Sequence, residues 1–543
     1  MNLNCKVAWL KKVKEAGGAD LTEDYRWHDN ERFVEVDIEN FSDDDLTVLL
    51  DIVRGNKDHG SRPVVQTINM FRKLRSDPTG TKISNLQGLE KALREYIGKS
   101  EHKWVFKENS DGHVVPWYVK SIQYQPYDQR KHNDCAYTQM TLVACRNGSR
   151  VEEAVRWETP DLGETVVNLL HGKNYYVETP GAVEAYSKEM QHYLAVQGRT
   201  GEQFLVTGRA YEKNDWGYYR FGLTAMERDG VASRVVMDDM FTDEGEPKTV
   251  AQVIAPAAYW LDNKASDEQE EKVVIVPVQP YVEVYDLERH GPLFVHTANL
   301  KPYQYCPELI HKLILPAERK DLISILIAGA DLQMEDIVGG KTGGIIVICT
   351  GPPGTGKTLS AEVFSESMKR PLYCVQCSQL GIDEATLENK LKQVLNRAMR
   401  WKAILLVDEA DVYIHERGED IKQNSIVGIW LRVLEHFRGI MFLTSNRETI
   451  IDDAIMSRAT AWIQYDYPES SAAAEIWRVL SENYKVDLTT EDIVELGKLF
   501  PKISGRSIKN LLRLAALLAS KTSVKVNVKL LKYVSQFIDL GAP

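Results

Sequence analysis

The sequence predicts an α/β core from about residue 316 onward, preceded by a helical segment and an α+β segment. Three observations carry this. An apolar run, GGIIVICT, leads into the glycine-rich GPPGTGKT and then into LSAEVFSESMK, a strand–loop–helix succession. AILLV and IMFL are short uninterrupted apolar runs, as expected of parallel strands covered on both faces. From about His102, stretches rich in Val, Tyr and Trp recur between turn residues, which is the pattern of an antiparallel sheet.

The chain has 543 residues. Domains hold roughly 100–200 residues each, so three or four are expected. Composition is ordinary for a folded chain, 43% hydrophobic and 27% charged. No apolar run reaches the roughly 18 residues of a membrane span, so no membrane partner is expected. MNLNCKVAWLKKVKEAGG has basic residues without a following apolar stretch and reads as a short amphipathic helix, not a secretory signal. The seven cysteines are scattered, which suits a reducing cytosol and a cytoplasmic location. Cys374 and Cys377 form a CxxC with no second ligand pair nearby, so small apolar side chains at a strand end fit better than zinc. His132 and Cys135 likewise lack further ligands and read as a surface loop.

Net charge is −12, and the residues before Pro316 hold 49 acids against 38 bases while the rest is almost balanced. An acidic N-terminal half argues against a large DNA-phosphate footprint there.

Residues 1–100 read as a helical N-terminal domain. Ser42 and Asp45 form a capping box ahead of an apolar stripe at Leu46, Leu49, Leu50 and Val53, and Gly55 ends that helix. Further helices are expected over Val64–Leu74 and Leu89–Ile97, with Asp77, Pro78 and Gly80 breaking the chain between them. Residues 101–265 read as an α+β domain for partner or substrate recognition, its strands separated by turns such as Asn147-Gly148 and interrupted by a helix near Ala182–Leu194. Asp262 to Glu271 reads as an exposed acidic linker. Residues 272–315 form a β-rich adaptor with a turn near His290-Gly291, and a helix at Ala317–Ile327 opens the core.

In GPPGTGKT, Gly351, Gly354 and Gly356 let the backbone wrap tightly, and its amides then face a phosphate at the positive end of the following helix. The set expected to cradle ATP is Gly351, Pro352, Pro353, Gly354, Thr355, Gly356, Lys357, Thr358 and Leu359. Lys357 would reach the β- and γ-phosphates and Thr358 would offer its hydroxyl to Mg²⁺. In AILLVDEAD, Asp408 at the strand end can hold the Mg²⁺ shell, and Glu409 beside it can polarise the attacking water. IMFLTSN is another apolar strand, ending in Asn446, whose amide can orient that water.

These motifs, with the later SR and SGR, resemble AAA+ ATPases in order and spacing from about Pro316 to the C-terminus, with a weaker likeness from about Val273. The resemblance implies a doubly wound parallel P-loop core over 316–467 and a helical lid over 468–543, with nucleotide bound between subunits of a ring, usually a hexamer. It implies that Asn446 is a sensor residue. Arg458, in DDAIMSRA, would be an arginine finger offered to a neighbouring subunit. Arg506, in PKISGRSIKN, would be a lid arginine reaching the phosphates in cis. The bland alternative for either arginine is a helix-end surface residue. Lid helices are expected near Ala472–Glu482, Thr490–Leu499, Ser507–Ala519 and Val528–Ile538.

The sequence also departs from that pattern. Where many protein-unfolding members carry an aromatic pore loop, this chain has Leu380, Gly381 and Ile382. A single SR resembles clamp loaders and other DNA-linked members. DEAD weakly resembles RNA helicases, whose other blocks are missing. The expected function is Mg-dependent ATP hydrolysis that remodels or disassembles a protein or protein complex. The alternatives are a DNA-linked ATPase (loader, packaging or defence factor) and a slow nucleotide-controlled assembly switch. Nucleic acid is the less favoured partner, and the protein substrate is unidentified.

Overall fold

The computed structural model describes residues 2–22, 32–55, 64–65, 68, 82–109, 112–127, 135–146, 149–213, 223–226, 232–239, 276–329, 343–381, 383–417, 421–446, 451–522 and 525–538. The chain divides into two compact units. The first is built from residues 1–199 and most of 204–301, the second mainly from 302–543.

The first unit opens on strand β1 (Asn2–Lys6), which pairs antiparallel with β2 (Phe33–Asp37). The amphipathic helix expected over the first residues is therefore shorter, α1 (Val7–Glu15). The alternation that buries Leu3 and Cys5 is a period of two, which suits a strand. Helix α2 (Asp43–Gly55) has the expected capping box: Ser42 N–H donates to Asp45 Oδ2 at 2.9 Å, and Asp45 N–H donates to Ser42 Oγ at 3.1 Å. Helix α3 (Leu86–Gly98) follows. The core formed by Leu3 to Ile68 also contains Trp104, Phe106, Tyr176 and Ala182, so the opening segment and the strands after it share side-chain packing.

Two antiparallel-rich sheets complete this unit. One joins β3 (Trp104–Glu108), β4 (Val114–Gln125), β5 (Tyr137–Arg146), β6 (Ser149–Glu158), β7 (Tyr175–Val177) and β12 (Val278–Gln279). The other has seven strands in the order β10 (Leu223–Met226), β9 (Ala210–Lys213), β14 (Gly291–His296), β13 (Tyr281–Asp286), β11 (Ser233–Met237), β8 (Gln203–Val206), β15 (Leu300–Pro302). Helix α4 (Val166–His171) precedes β7, and α5 (Pro180–Val196) is the expected interrupting helix. The β13–β14 hairpin turns where expected, with His290 at φ 57°. Most of the helix expected over Val64–Leu74 lies outside the described residues. So do the breaker at residues 77–80, the Asn147-Gly148 turn, His132 and the 262–271 linker.

The second unit holds helices α6 (Leu309–Lys312) and α7 (Ala317–Gly329), then a five-stranded sheet. Its strands are β16 (Ile345–Thr350), β17 (Leu372–Gln376), β18 (Ile404–Asp408), β19 (Ile440–Ser445) and β20 (Ala461–Gln464). Their order is β17-β18-β19-β16-β20, and every pairing is parallel. The intervening helices are α8 (Lys357–Met368), the short α9 (Cys377–Leu380), α10 (Glu384–Arg400), the short α11 (Asp411–Ile414), α12 (Ile421–Leu434) and α13 (Asp453–Met456). This is the doubly wound α/β core. The chain leaves β16 toward one edge and later crosses it to reach the other, so the strand order reverses beside β16. Ligands bind such sheets at the carboxyl ends of the strands next to that reversal. Helices α14 (Ser470–Asn483), α15 (Thr490–Leu499), α16 (Gly505–Thr522) and α17 (Val528–Val534) form the lid around Trp477, Leu496, Ile508, Leu511, Leu512 and Leu531.

Candidate functional site

The carboxyl end of β16 leads into the glycine-rich loop, which turns into α8. Three of its glycines take positive φ: Gly351 at 137°, Gly354 at 79° and Gly356 at 105°. A Cβ on Gly351 would lie 2.0 Å from the Tyr465 carbonyl oxygen, so close backbone approach as well as conformation demands glycine there. Lys357 is buried and its Nζ donates to the carbonyls of Gly351 at 2.7 Å and Pro352 at 2.8 Å. Burial lowers its pKa below the ordinary 10.5, and the Arg506 charge adds to this while Asp408 opposes it.

Beside this loop the ends of β18 and β19 bring the acidic pair into place. Asp408 Oδ1 accepts from Thr358 Oγ1 at 3.0 Å and from Thr444 Oγ1 at 2.5 Å. The Thr444 hydroxyl oxygen in turn accepts the Glu409 N–H at 3.1 Å, and its carbonyl accepts the Ala410 N–H at 2.8 Å. Glu409 is exposed and sits in the left-handed region, φ 55°. For a residue with a Cβ that conformation costs roughly 1–2 kcal/mol, so the surrounding bonds must hold it. Thr444 has no counterpart among the sequence-derived candidates. The signal was its place two residues before Asn446, on the strand that pairs with the Asp408 strand.

Asn446 lies one residue beyond β19 and is exposed. Arg458 follows the last turn of α13, whose N-cap is Asp452: the Asp452 carboxylate accepts the Ala454 N–H at 2.9 Å and pairs with Arg417 at 2.7 Å. The Arg458 guanidinium donates to the Ala454 carbonyl at 3.0 Å and pairs with Glu435. Both of these partners belong to its own chain. Arg506 opens α16, and its N–H donates to the Gly354 carbonyl at 3.3 Å. A cavity of about 710 Å³ lies between Pro352, the Asp466–Ser471 connection and Pro501–Lys502 of the lid.

Cys374 and Cys377 are both unbridged. Two other clusters gather metal-ligating types in the first unit. In one, Glu178 accepts from His102 Nδ1 at 2.6 Å and from the His102 and Trp104 amides, a strand-end clamp with its lone pairs in use. In the other, His113 and His296 stack at 3.7 Å with planes 8° apart, and Glu189 Oε2 lies 3.8 Å from His296 Nε2. His296 Nδ1 accepts the Ala298 N–H, which puts the neutral ring's proton on Nε2. His113, Glu189 and His296 thus place their ligand-type atoms within 4.8 Å of one another around two stacked rings.

Residues 347–467 match the model of AAA, the ATPase family associated with various cellular activities. The chain carries an AAA-family ATPase domain. Two curated relatives illustrate the similarity. The chloroplastic ATP-dependent zinc metalloprotease FTSH 2 of Oryza sativa is 28% identical over 191 residues, covering 32% of this chain and 28% of that protein. FtsH of Malacoplasma penetrans is 28% identical over 194 residues, covering 33% and 23%. The chain thus spans about a quarter of the length of these relatives. Among solved structures, the E. coli MS115-1 HORMA:CdnC:Trip13 complex aligns over 43% of this chain and 92% of the matched chain at 16% identity and TM-score 0.35. The FIGL-1 AAA domain with ADP aligns over 42% and 83% at 18% identity and TM-score 0.35. Among the described residues no helix is long and apolar enough to cross a membrane.

Proposed function

We propose that this AAA ATPase hydrolyses ATP with Mg²⁺ and uses the cycle to remodel or disassemble a protein or protein complex, working as a ring oligomer. The observation that carries the hydrolytic reading is the hydrogen-bonded line Thr358–Asp408–Thr444, with Glu409 held at its edge. A hydroxyl and a carboxylate 3.0 Å apart at the phosphate loop are hard oxygen donors of the kind Mg²⁺ takes, with substrate phosphates and water completing its shell. Mg²⁺ bound there would neutralise charge on the transferred phosphoryl group.

The residues of the chain then divide the work. Lys357 exchanges the Gly351 and Pro352 carbonyls for phosphate oxygens. Glu409 takes the proton of the attacking water, and Asn446 orients that water. Arg506, bonded through its backbone to the loop, moves with the lid and reports nucleotide state. Arg458 leaves Glu435 to complete a neighbouring subunit's site. The cavity beside Pro352 accepts the nucleoside end, its volume being within the usual range for a small ligand. The FtsH relatives are named as ATP-dependent zinc metalloproteases, and ATP dependence is the part of that description that falls within the matched segment.

The test is a Glu409→Gln chain carrying an affinity tag. It should bind ATP without turnover and retain its protein partner, and recovery of nothing above background would remove the remodelling reading. Hydrolysis that survives Lys357→Ala would remove the enzymatic one. The SR finger favours the DNA-linked alternative, for which turnover should rise on adding DNA and the rise should vanish with salt.

A further inference from the structure

We infer that Cys377 is a positioning residue for Glu409: its thiol holds the main chain of Glu409 in the left-handed turn from which the carboxylate acts. This rests on the ATPase reading above. The parallel register that sets Gln376 opposite Asp408 brings the next residues of each strand, Cys377 and Glu409, side by side. Cys377 Sγ donates to the Glu409 carbonyl at 2.9 Å, and the Asp408 carbonyl is further away at 3.8 Å.

Both peptide groups of Glu409 are therefore anchored, and from different strands. Its N–H is held by Thr444 on β19 and its carbonyl by Cys377 at the end of β17. A residue at φ 55° gains by relaxing to negative φ unless both flanking peptides are fixed. That second peptide is held at two points, its carbonyl by Cys377 and its Ala410 N–H by the Thr444 carbonyl at 2.8 Å. Without the thiol bond it keeps one anchor, about which it can tilt and carry the carboxylate with it.

Cys377 is itself held from the far side. The hydroxyl of Tyr413, shared between two acceptors, lies 2.9 Å from the carbonyls of both Cys377 and Gly381. Tyr413 is fully buried and stacks on Trp430 at 4.9 Å. The Gln376–Gln379 capping box fixes the turn that presents the thiol. The result is a closed loop of contacts: Cys377 to Glu409, along the chain to Tyr413, and back to Cys377. The segment after β17 and the segment after β18 cannot move independently while it is intact.

The competing account is that Cys377 merely fills space, and a valine fills the same space without a donor. In the full-length chain, Cys377→Val should lower kcat roughly tenfold or more, as sub-ångström misplacement of a catalytic group does. Affinity for a fluorescent ATP analogue should stay within about twofold, since the phosphate loop is untouched. Cys377→Ser, which keeps a donor, should recover most of the turnover. Tyr413→Phe keeps the buried ring, removes the second link, and should lower kcat at unchanged affinity. Wild-type turnover in Cys377→Val overturns the inference. So do equal losses in the Val and Ser variants, or parallel loss of affinity and kcat. Should Cys377→Val fail to fold, wild-type turnover in Tyr413→Phe overturns it. If Lys357→Ala leaves turnover intact, the ATPase reading itself has failed. If Lys357→Ala and Glu409→Gln abolish turnover and Cys377→Val does not, only the positioning role has.

Discussion

The N–H of Arg506 donates to the carbonyl of Gly354, so the first turn of a lid helix is bonded directly to the phosphate loop. A Cβ on Gly354 would lie 2.7 Å from the Arg506 Cβ and 2.9 Å from Ser504 Oγ. Gly356 has a similar positive φ and open space around it. Gly354→Ala should therefore destabilise the protein by about 1–3 kcal/mol through φ strain and displacement of the lid, and Gly356→Ala by less, through strain alone. Thermal melts of the two variants check the order. A Gly356→Ala loss equal to or above that of Gly354→Ala contradicts the lid contact.

Thr444 serves both members of the acidic pair with one hydroxyl. Thr444→Val keeps the shape and removes that group, leaving the Glu409 N–H without its acceptor at a cost of about 1–3 kcal/mol. ATP should still bind, the Mg²⁺ needed for half-maximal rate should rise, and kcat should fall at least tenfold. Steady-state turnover across a Mg²⁺ titration reads all three.

Asp452 carries the turn before Arg458 and gives a pH signature. Burial alone would raise its pKa, but the Arg417 guanidinium and the Ala454 amide outweigh that and hold the carboxylate below its ordinary 3.8. A depressed folded pKa means stability that is present above the unfolded value and lost as pH falls through the folded one. Tm should therefore drop below about pH 4, and Asp452→Asn should flatten that part of the Tm–pH curve while leaving neutral pH activity to report on the finger. An unchanged acid limb in the variant counts against this pairing.

Arg458 is paired with Glu435 of its own chain. If it acts in a neighbour, Arg458→Ala and Lys357→Ala should each abolish turnover alone, and mixing them should restore a fraction of it, because some interfaces then join an intact loop to an intact finger. No recovery on mixing argues for action in cis.

The phosphate loop, the two acidic residues and three of the five core strands (β16, β18 and β19) were legible because each couples a local composition to a local conformation: glycines at positive φ, apolar runs at buried strands, acids at strand ends. Lid helices were legible from periodicity, within a few residues at their ends. What escaped was set by register. Thr444 and Cys377 matter because parallel pairing puts them beside Asp408 and Glu409, across 36 and 32 residues of chain. The strand Asn2–Lys6 escaped for the same reason, since only its pairing with Phe33–Asp37 distinguishes it from the first turn of a helix.

The packing of Trp104, Phe106, Tyr176 and Ala182 into the core begun by Leu3 bears on the order in which this chain can be made. As the ribosome delivers it, the opening segment meets none of these partners until residues 104–182 have emerged. The sheet around β5 waits longer still, for Val278. The first unit is thus completed late, by residues delivered just before the ATPase domain. An interrupted translation product ending before residue 278 would leave apolar faces bare to chaperones, and the ATPase domain follows only once the chain that completes them has been delivered.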